Sequence, residues 1–313
     1  MTWDITHPFP VTLICPACRI APDGSVAPSM LHSASGGEAL SCPTCGAEYP
    51  VRGGIPCVPA LTAEDDEHLV ATYVLAHFPD GTSHRAADPL RENETTMDVL
   101  EDWVSRHKEG PVGNGWFLEA GCGPGGLLRR LARHALYGAM GLDLRWSMLS
   151  AAADLASGRG VTIRFRVEGD RKEAINVFSP KPAWADRVRF VHGDVMAPPF
   201  EAEAFPLVAA CSLLDTVSDP LMCLGQLDAL LAPGGLLLLC TPYRWDARVT
   251  PTERWWDDGA RVVRQLLAGE HPELPHLGYD LIEHHPRLSW VLPGDDRLSH
   301  RYLLDSVLAR KRR

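Results

Sequence analysis

Between residues 116 and 241 the apolar positions follow two alternating rhythms. Short apolar runs at 116–120, 138–143, 187–192, 207–213 and 236–241 are bounded by Gly, Pro or Asp and have the length of buried strands. Between them, 125–134, 147–156 and 220–231 place apolar side chains three and four apart, the spacing of helices. Ser218-Asp219-Pro220 supplies a cap and a first turn for the last of these. Strand alternating with helix predicts an α/β fold with a parallel, doubly wound sheet covered on both faces. A helix near 259–268 and two further strands, 281–292 and 302–309, bring the predicted sheet to seven strands. The interval 159–187 is longer than one crossover needs and reads as an insertion.

The chain upstream has a different texture. Residues 1–60 are rich in Pro, Gly and Cys, with short β-like pieces at 11–14 and 49–52, and form a small loop-rich unit. Helical spacing returns at 64–77 and 97–107, separated by a polar stretch containing Pro89. Three parts follow: 1–60, a helical bridge at 61–110 that packs over its neighbour, and the α/β domain at 111–313.

Composition narrows the class. Of 313 residues, 45% are hydrophobic and 22% charged, which is globular and enough for a sizeable core. The first ten residues lack a basic stretch followed by an apolar run, and the longest apolar run, 236–240, is far too short for a bilayer. A cytoplasmic protein without a membrane span is expected. The net charge of −10 repels nucleic-acid phosphates except where basic residues gather, as at 159–172 and in Arg310-Lys311-Arg312-Arg313. This balance favours a small-molecule partner and leaves RNA as the second candidate. Nine cysteines, an odd number with two tight pairs, fit metal binding in a reducing compartment better than a disulfide framework.

Those pairs are Cys15-Pro-Ala-Cys18 and Cys42-Pro-Thr-Cys45, with 23 residues between them. Each presents two thiolates to one ion, and together they complete a closed tetrahedral Cys₄ site, which makes the zinc structural. The second constellation is Glu119-Ala-Gly121-Cys-Gly123-Pro-Gly125-Gly126, which follows a strand and opens a helix. Its glycines allow a tight turn and close approach of a ligand to backbone. Asp143 lies 20 residues after Gly123 at the end of the next strand, where doubly wound folds place an acid against ribose hydroxyls. Gly193-Asp194 follows the third strand, and Leu231-Ala-Pro-Gly-Gly235 turns into the fifth.

Together these motifs resemble the class I methyltransferases that use S-adenosylmethionine, over about residues 110–310. The resemblance implies a seven-stranded, Rossmann-like methyltransferase sheet. It also implies that Gly121, Gly123 and Gly125 wrap the methionine part of the cofactor, with Glu119 before them, Asp143 on ribose and Asp194 beside adenine. The cysteine unit with Tyr49-Pro-Val-Arg-Gly-Gly-Ile-Pro resembles zinc-ribbon activator proteins of tRNA and protein methyltransferases. It is also similar to the N-terminal zinc unit of rRNA guanine methyltransferases.

The acceptor side rests on the end of strand four, Cys211-Ser-Leu-Leu-Asp215-Thr216. The Asn/Asp-Pro-Pro-aromatic motif of RNA and DNA amino methyltransferases is absent there. Leu-Asp-Thr, together with Trp146-Ser-Met-Leu149 and the closing 302–311 segment, resembles the carnosine N-methyltransferase family. That resemblance implies that Asp215 holds an acceptor imidazole, helped by Tyr302. Trp245, Trp255 and Trp256 fall where a lid sits, and His284 and His285 point to opposite faces of a strand. The leading expectation is N-methylation of a small amine or imidazole. RNA-base methylation is the alternative, and a non-catalytic partner subunit that binds the cofactor is a third.

Overall fold

The computed structural model describes residues 11–18, 28–34, 37–58, 66–108, 115–135, 137–181 and 185–313. The reading of the first ten residues, and the first two positions of the helix expected at 64–77, lie outside these. In chain order the elements are β1 (His32–Ser33), β2 (Ala39–Ser41), β3 (Glu48–Arg52), β4 (Ile55–Val58), α1 (Glu67–His77), α2 (Glu92–His107), β5 (Trp116–Ala120), α3 (Gly126–Leu131), β6 (Gly138–Asp143) and α4 (Trp146–Ser157). There follow β7 (Val161–Glu168), β8 (Arg171–Val177), β9 (Val188–Gly193), β10 (Phe205–Cys211), α5 (Pro220–Leu230), β11 (Leu231–Thr241), α6 (Gly259–Ala268), β12 (Tyr279–Pro293) and β13 (Ser299–Lys311).

The expected α/β fold is present. Seven strands run in the order β9-β6-β5-β10-β11-β13-β12. The first five are mutually parallel, and β13 runs antiparallel between β11 and β12. The sheet is buried on both faces. Leu118, Met140, Val208, Leu237 and Leu239 pack towards α5 and α6, whereas Phe117, Ala139, Leu207, Leu236 and Leu238 pack towards α2, α3 and α4. Strand order reverses between β5 and β10, so the crevice for a ligand opens beyond their carboxyl ends. Asp219 caps α5 by accepting from the Met222 N–H at 3.0 Å, with Pro220 in the first turn.

The insertion expected at 159–187 is a hairpin, β7–β8, that stands apart from the main sheet. Its alternation buries Ile163, Phe165, Val167, Ile175 and Val177, and all of these but Val167 pack with Ala71, Val74, Leu75 and Phe78 in and just beyond α1. Phe165 is fully buried in that cluster. Phe165→Ala should therefore cost about 3–5 kcal/mol of stability. Equilibrium urea unfolding measures it; a change under about 1 kcal/mol would mean that the hairpin does not pack on α1.

The N-terminal part is tied into the same array. β1, β2 and β3 form an antiparallel ladder, β3 turns into β4, and β4 lies parallel to β9 through Cys57↔His192 and Val58↔Gly193. Leu13 is buried in the main core and pairs with Phe200, while the Ile14 N–H donates to the Pro199 carbonyl at 3.1 Å. Among the described residues no helix is long and apolar enough to cross a membrane.

Candidate functional site

The glycine loop hangs from the carboxyl end of β5. The Gly121 and Cys122 N–H groups both donate to the Leu142 carbonyl, at 2.8 and 3.1 Å, which ties the loop to the end of β6. Gly121, Gly123 and Gly125 all take left-handed φ values, +69°, +52° and +80°. A Cβ on Gly121 would strike Leu213, whereas one on Gly123 would meet nothing within 4 Å and project into open space. Gly123 thus has open space where a side chain would stand.

Two carboxylates flank the loop. Glu119 is 2% exposed, and its Oε2 is buried with no hydrogen-bond partner among the described residues. Burial pushes its carboxyl well above the usual range, against the pull of the Leu128 N–H. Asp143 Oδ2 accepts from the Gly123 N–H at 2.8 Å and Oδ1 from the Arg145 N–H at 2.9 Å. Burial again raises the carboxyl, and those two donors offset part of the rise. Asp194 holds a turn instead, its Oδ1 accepting from Met196 at 2.8 Å. The orphaned Glu119 oxygen and the open face of Gly123 fit a cofactor with a cationic amine placed close to backbone.

Elements outside the loop enlarge this end of the site. Trp146 lies edge-on to His192, with ring centroids 6.0 Å apart, and the Arg52 guanidinium stands 5.7 Å from the Trp146 ring. His192 Nε2 bonds the Leu144 carbonyl at 2.9 Å, next to Asp143. α1 crosses the far side of the loop. His77 packs so closely on Gly126 that any Cβ there would collide, and burial pushes its imidazole down to about 4. Tyr73, one turn earlier, has its phenol pushed up to about 12, first by burial and then by the charges of Asp215, Tyr302 and Asp143. Neither Tyr73 nor Trp146 was legible from the sequence as part of a site.

At the carboxyl ends of β10 and β11, Asp215 is 4% exposed. Its Oδ1 accepts from Thr241 Oγ1 at 3.3 Å and its Oδ2 from the Arg244 N–H at 2.7 Å. Burial raises its carboxyl too. The Arg244 guanidinium lies 6.0 Å from the Tyr302 ring. Trp245 and Trp256 meet edge to face at 5.5 Å; Trp245 Nε1 is buried and unpartnered among the described residues, and Trp255 Nε1 donates to Thr250. Alongside, Tyr243 Oη donates to Asp305 Oδ2 at 2.9 Å, and His284 Nε2 lies 2.8 Å from Asp305 Oδ1. His285 faces away and accepts from the Arg287 N–H.

The four N-terminal cysteines converge. The sulfur atoms of Cys15, Cys18, Cys42 and Cys45 all lie within 4.8 Å of one another, with Cys15–Cys45 at 3.8 Å and Cys18–Cys42 at 3.7 Å. Zinc–thiolate bonds of about 2.3 Å in a tetrahedron require sulfurs about 3.8 Å apart. The donor set therefore fits a closed zinc site.

Residues 118–239 match the family model described as a methyltransferase domain. No curated protein matches the chain. Among solved structures, a putative methyltransferase from Bacillus halodurans is 17% identical, with 70% of this chain and 100% of that one covered and a TM-score of 0.44. A putative S-adenosyl-L-methionine-dependent methyltransferase from Methanococcus maripaludis is 14% identical, covering 81% and 98%, at a TM-score of 0.43. The YcgJ protein of Bacillus subtilis is 13% identical, covering 70% and 99%, at 0.44. The strand order, the glycine loop and the family match agree, and the chain carries an S-adenosylmethionine-dependent methyltransferase domain that includes residues 118–239.

Proposed function

We propose that the enzyme N-methylates a small molecule bearing an amine or imidazole, and that the N-terminal cysteines hold a structural zinc ion. What supports the acceptor class is the buried Asp215 carboxylate at the carboxyl ends of β10 and β11, which holds the Arg244 turn whose guanidinium lies 6.0 Å from the Tyr302 ring. A carboxylate beside aromatic faces favours an ammonium or a polarised imidazole and disfavours a phosphate backbone. Glu119, Gly121, Gly123, Gly125, Asp143 and Asp194 hold the cofactor in this reading. Asp215 holds the acceptor's far N–H or its ammonium, and Tyr302 lines the acceptor's other side. Both Asp215 oxygens already accept one bond, but each keeps a lone pair.

The test is transfer of labelled methyl groups to a panel of small amines and imidazoles and, side by side, to an RNA pool. Label is expected in the small molecules. Label in RNA alone would overturn the acceptor class, and none in either would favour a non-catalytic cofactor-binding subunit. Asp215→Asn should keep cofactor affinity and lower turnover, by up to the ~10²–10⁴-fold of a general base; Tyr302→Phe should weaken acceptor binding more mildly. Full activity of Asp215→Asn would make that carboxylate a strut for the Arg244 turn and nothing more.

A further inference from the structure

The grouping of Tyr243, Asp305 and His284 has no part in holding the cofactor. Thr241 pairs with Asp305, so the carboxylate sits at the carboxyl end of β11, on the crevice side of the sheet. Asp305 is 7% exposed, with one oxygen on the Tyr243 hydroxyl and the other on the His284 imidazole. The His284 side chain is 31% exposed, so the ring is anchored at one nitrogen and open elsewhere. Two further features hold the arrangement in place. Tyr243 takes φ +52°, a conformation that non-glycine residues avoid, and its ring covers Gly259 so closely that any side chain there would collide.

We propose that His284, fixed by Asp305, is the base that takes the proton from the methyl acceptor; this rests on the acceptor reading above. The carboxylate requires the hydrogen on Nε2, which leaves the Nδ1 lone pair free in the neutral ring. In the reaction the acceptor's lone pair forms the bond to the methyl carbon. The carbon–sulfur bond breaks with its electron pair going to sulfur, and the acceptor's proton passes to His284 Nδ1. The imidazolium so formed is stabilised by Asp305, and the exposed ring edge returns the proton to water. Tyr243 donates to the second Asp305 oxygen and stops the carboxylate from turning, so Tyr243 and Asp305 are positioning residues. Where the acceptor arrives as an ammonium, His284 Nδ1 takes one of its protons first, and the lone pair so freed then makes the bond to the methyl carbon.

Two measurements test the base. Long-range ¹H–¹⁵N spectra of the whole protein at pH 8 should show His284 neutral with its hydrogen on Nε2; hydrogen on Nδ1 overturns the proposal without reference to any acceptor. With histamine and tyramine as probe acceptors, His284→Ala should lower kcat roughly 100-fold or more, leave the affinity for S-adenosylhomocysteine unchanged, and regain part of the rate with added free imidazole. Asp305→Asn should lower kcat in the same direction with less change in KM. Unchanged kcat in His284→Ala, or a loss that imidazole does not restore, overturns the proposal. If the wild type methylates neither probe while still binding S-adenosylhomocysteine, the acceptor reading fails, and the His284 tautomer decides the base separately.

Discussion

Gly123→Val is expected to remove most of the affinity for S-adenosylhomocysteine while the protein stays folded. The position separates two effects that usually come together. A valine there takes a left-handed φ, at a cost of about 1–2 kcal/mol. Its Cβ strikes no protein atom, so the fold has no clash to absorb. If the loop wraps the cofactor, the methyl groups fill the open space that the ligand needs and compete with it. Overfilling a well-packed site costs about 1–3 kcal/mol, roughly five- to 150-fold in dissociation constant. Gly169, in the turn between β7 and β8, supplies the control: its φ is +54° and a Cβ there also meets nothing within 4 Å. Gly169→Val carries the same backbone strain away from the loop and should bind as the wild type does. Titration calorimetry compares the three proteins, and equal affinity for Gly123→Val and the wild type would sink the assignment of the loop.

The same experiment reads Glu119. Burial holds its carboxyl well above the usual range, so it keeps its proton to higher pH than an exposed carboxyl does. An ammonium brought beside it favours the ionised form, and the proton leaves on binding. The sign is then fixed: affinity rises with pH until the carboxyl of the free protein has ionised. The cost to folding has the opposite sense. A raised carboxyl contributes its stability below the unfolded value and loses it as pH rises towards the folded one. Calorimetry in buffers of different ionisation enthalpy should record net proton release, and Glu119→Gln should abolish that release.

Much of the cofactor end is legible in the sequence because its residues are close along the chain. The loop spans a handful of positions, and the periods on either side of it assign β5, α3 and β6. The acceptor end is assembled from distant segments. Tyr243 and Asp305 are 62 positions apart, and Tyr73 reaches the site from a helix before the α/β domain. Strand parity correctly separates His284 from His285, but it cannot say which of them meets a carboxylate. That depends on the register of β12 against β13, which shifts twice, between Leu281 and Glu283 and between His285 and Leu288. The pairing of β4 with β9 is illegible for a different reason: four residues following a Gly-Gly turn carry too short a pattern to name a partner strand.

That pairing governs the last prediction, the loss of zinc. Metal analysis should find about one zinc ion per chain, since one Cys₄ site holds one ion. Structural zinc contributes about 10–16 kcal/mol of apparent binding energy in zinc-finger peptides, and where no site is preformed that energy is folding energy. The strands of the cysteine unit are short, β1 and β2 together being five residues long, so the metal carries much of the order there. Among the described residues the unit's other attachments include the Leu13 and Ile14 contacts with Phe200 and Pro199, Leu31 and Leu40 against the main core, Arg52 on Trp146, and β4 along β9. Cys42→Ser should therefore loosen more than the ribbon. The amides of 55–58 should lose protection from hydrogen exchange along with those of the cysteine loops. Soluble yield and the thermal midpoint should both fall, and the affinity for S-adenosylhomocysteine should weaken, because Arg52 leaves the Trp146 ring and β9, which ends beside Asp194, becomes an exposed edge. Amides of β5 and β10, in the middle of the sheet, should keep their protection, which distinguishes loss of the ribbon from global unfolding. A zinc-free protein that is fully folded, protected at 55–58 and active would show that the four thiols serve no structural metal.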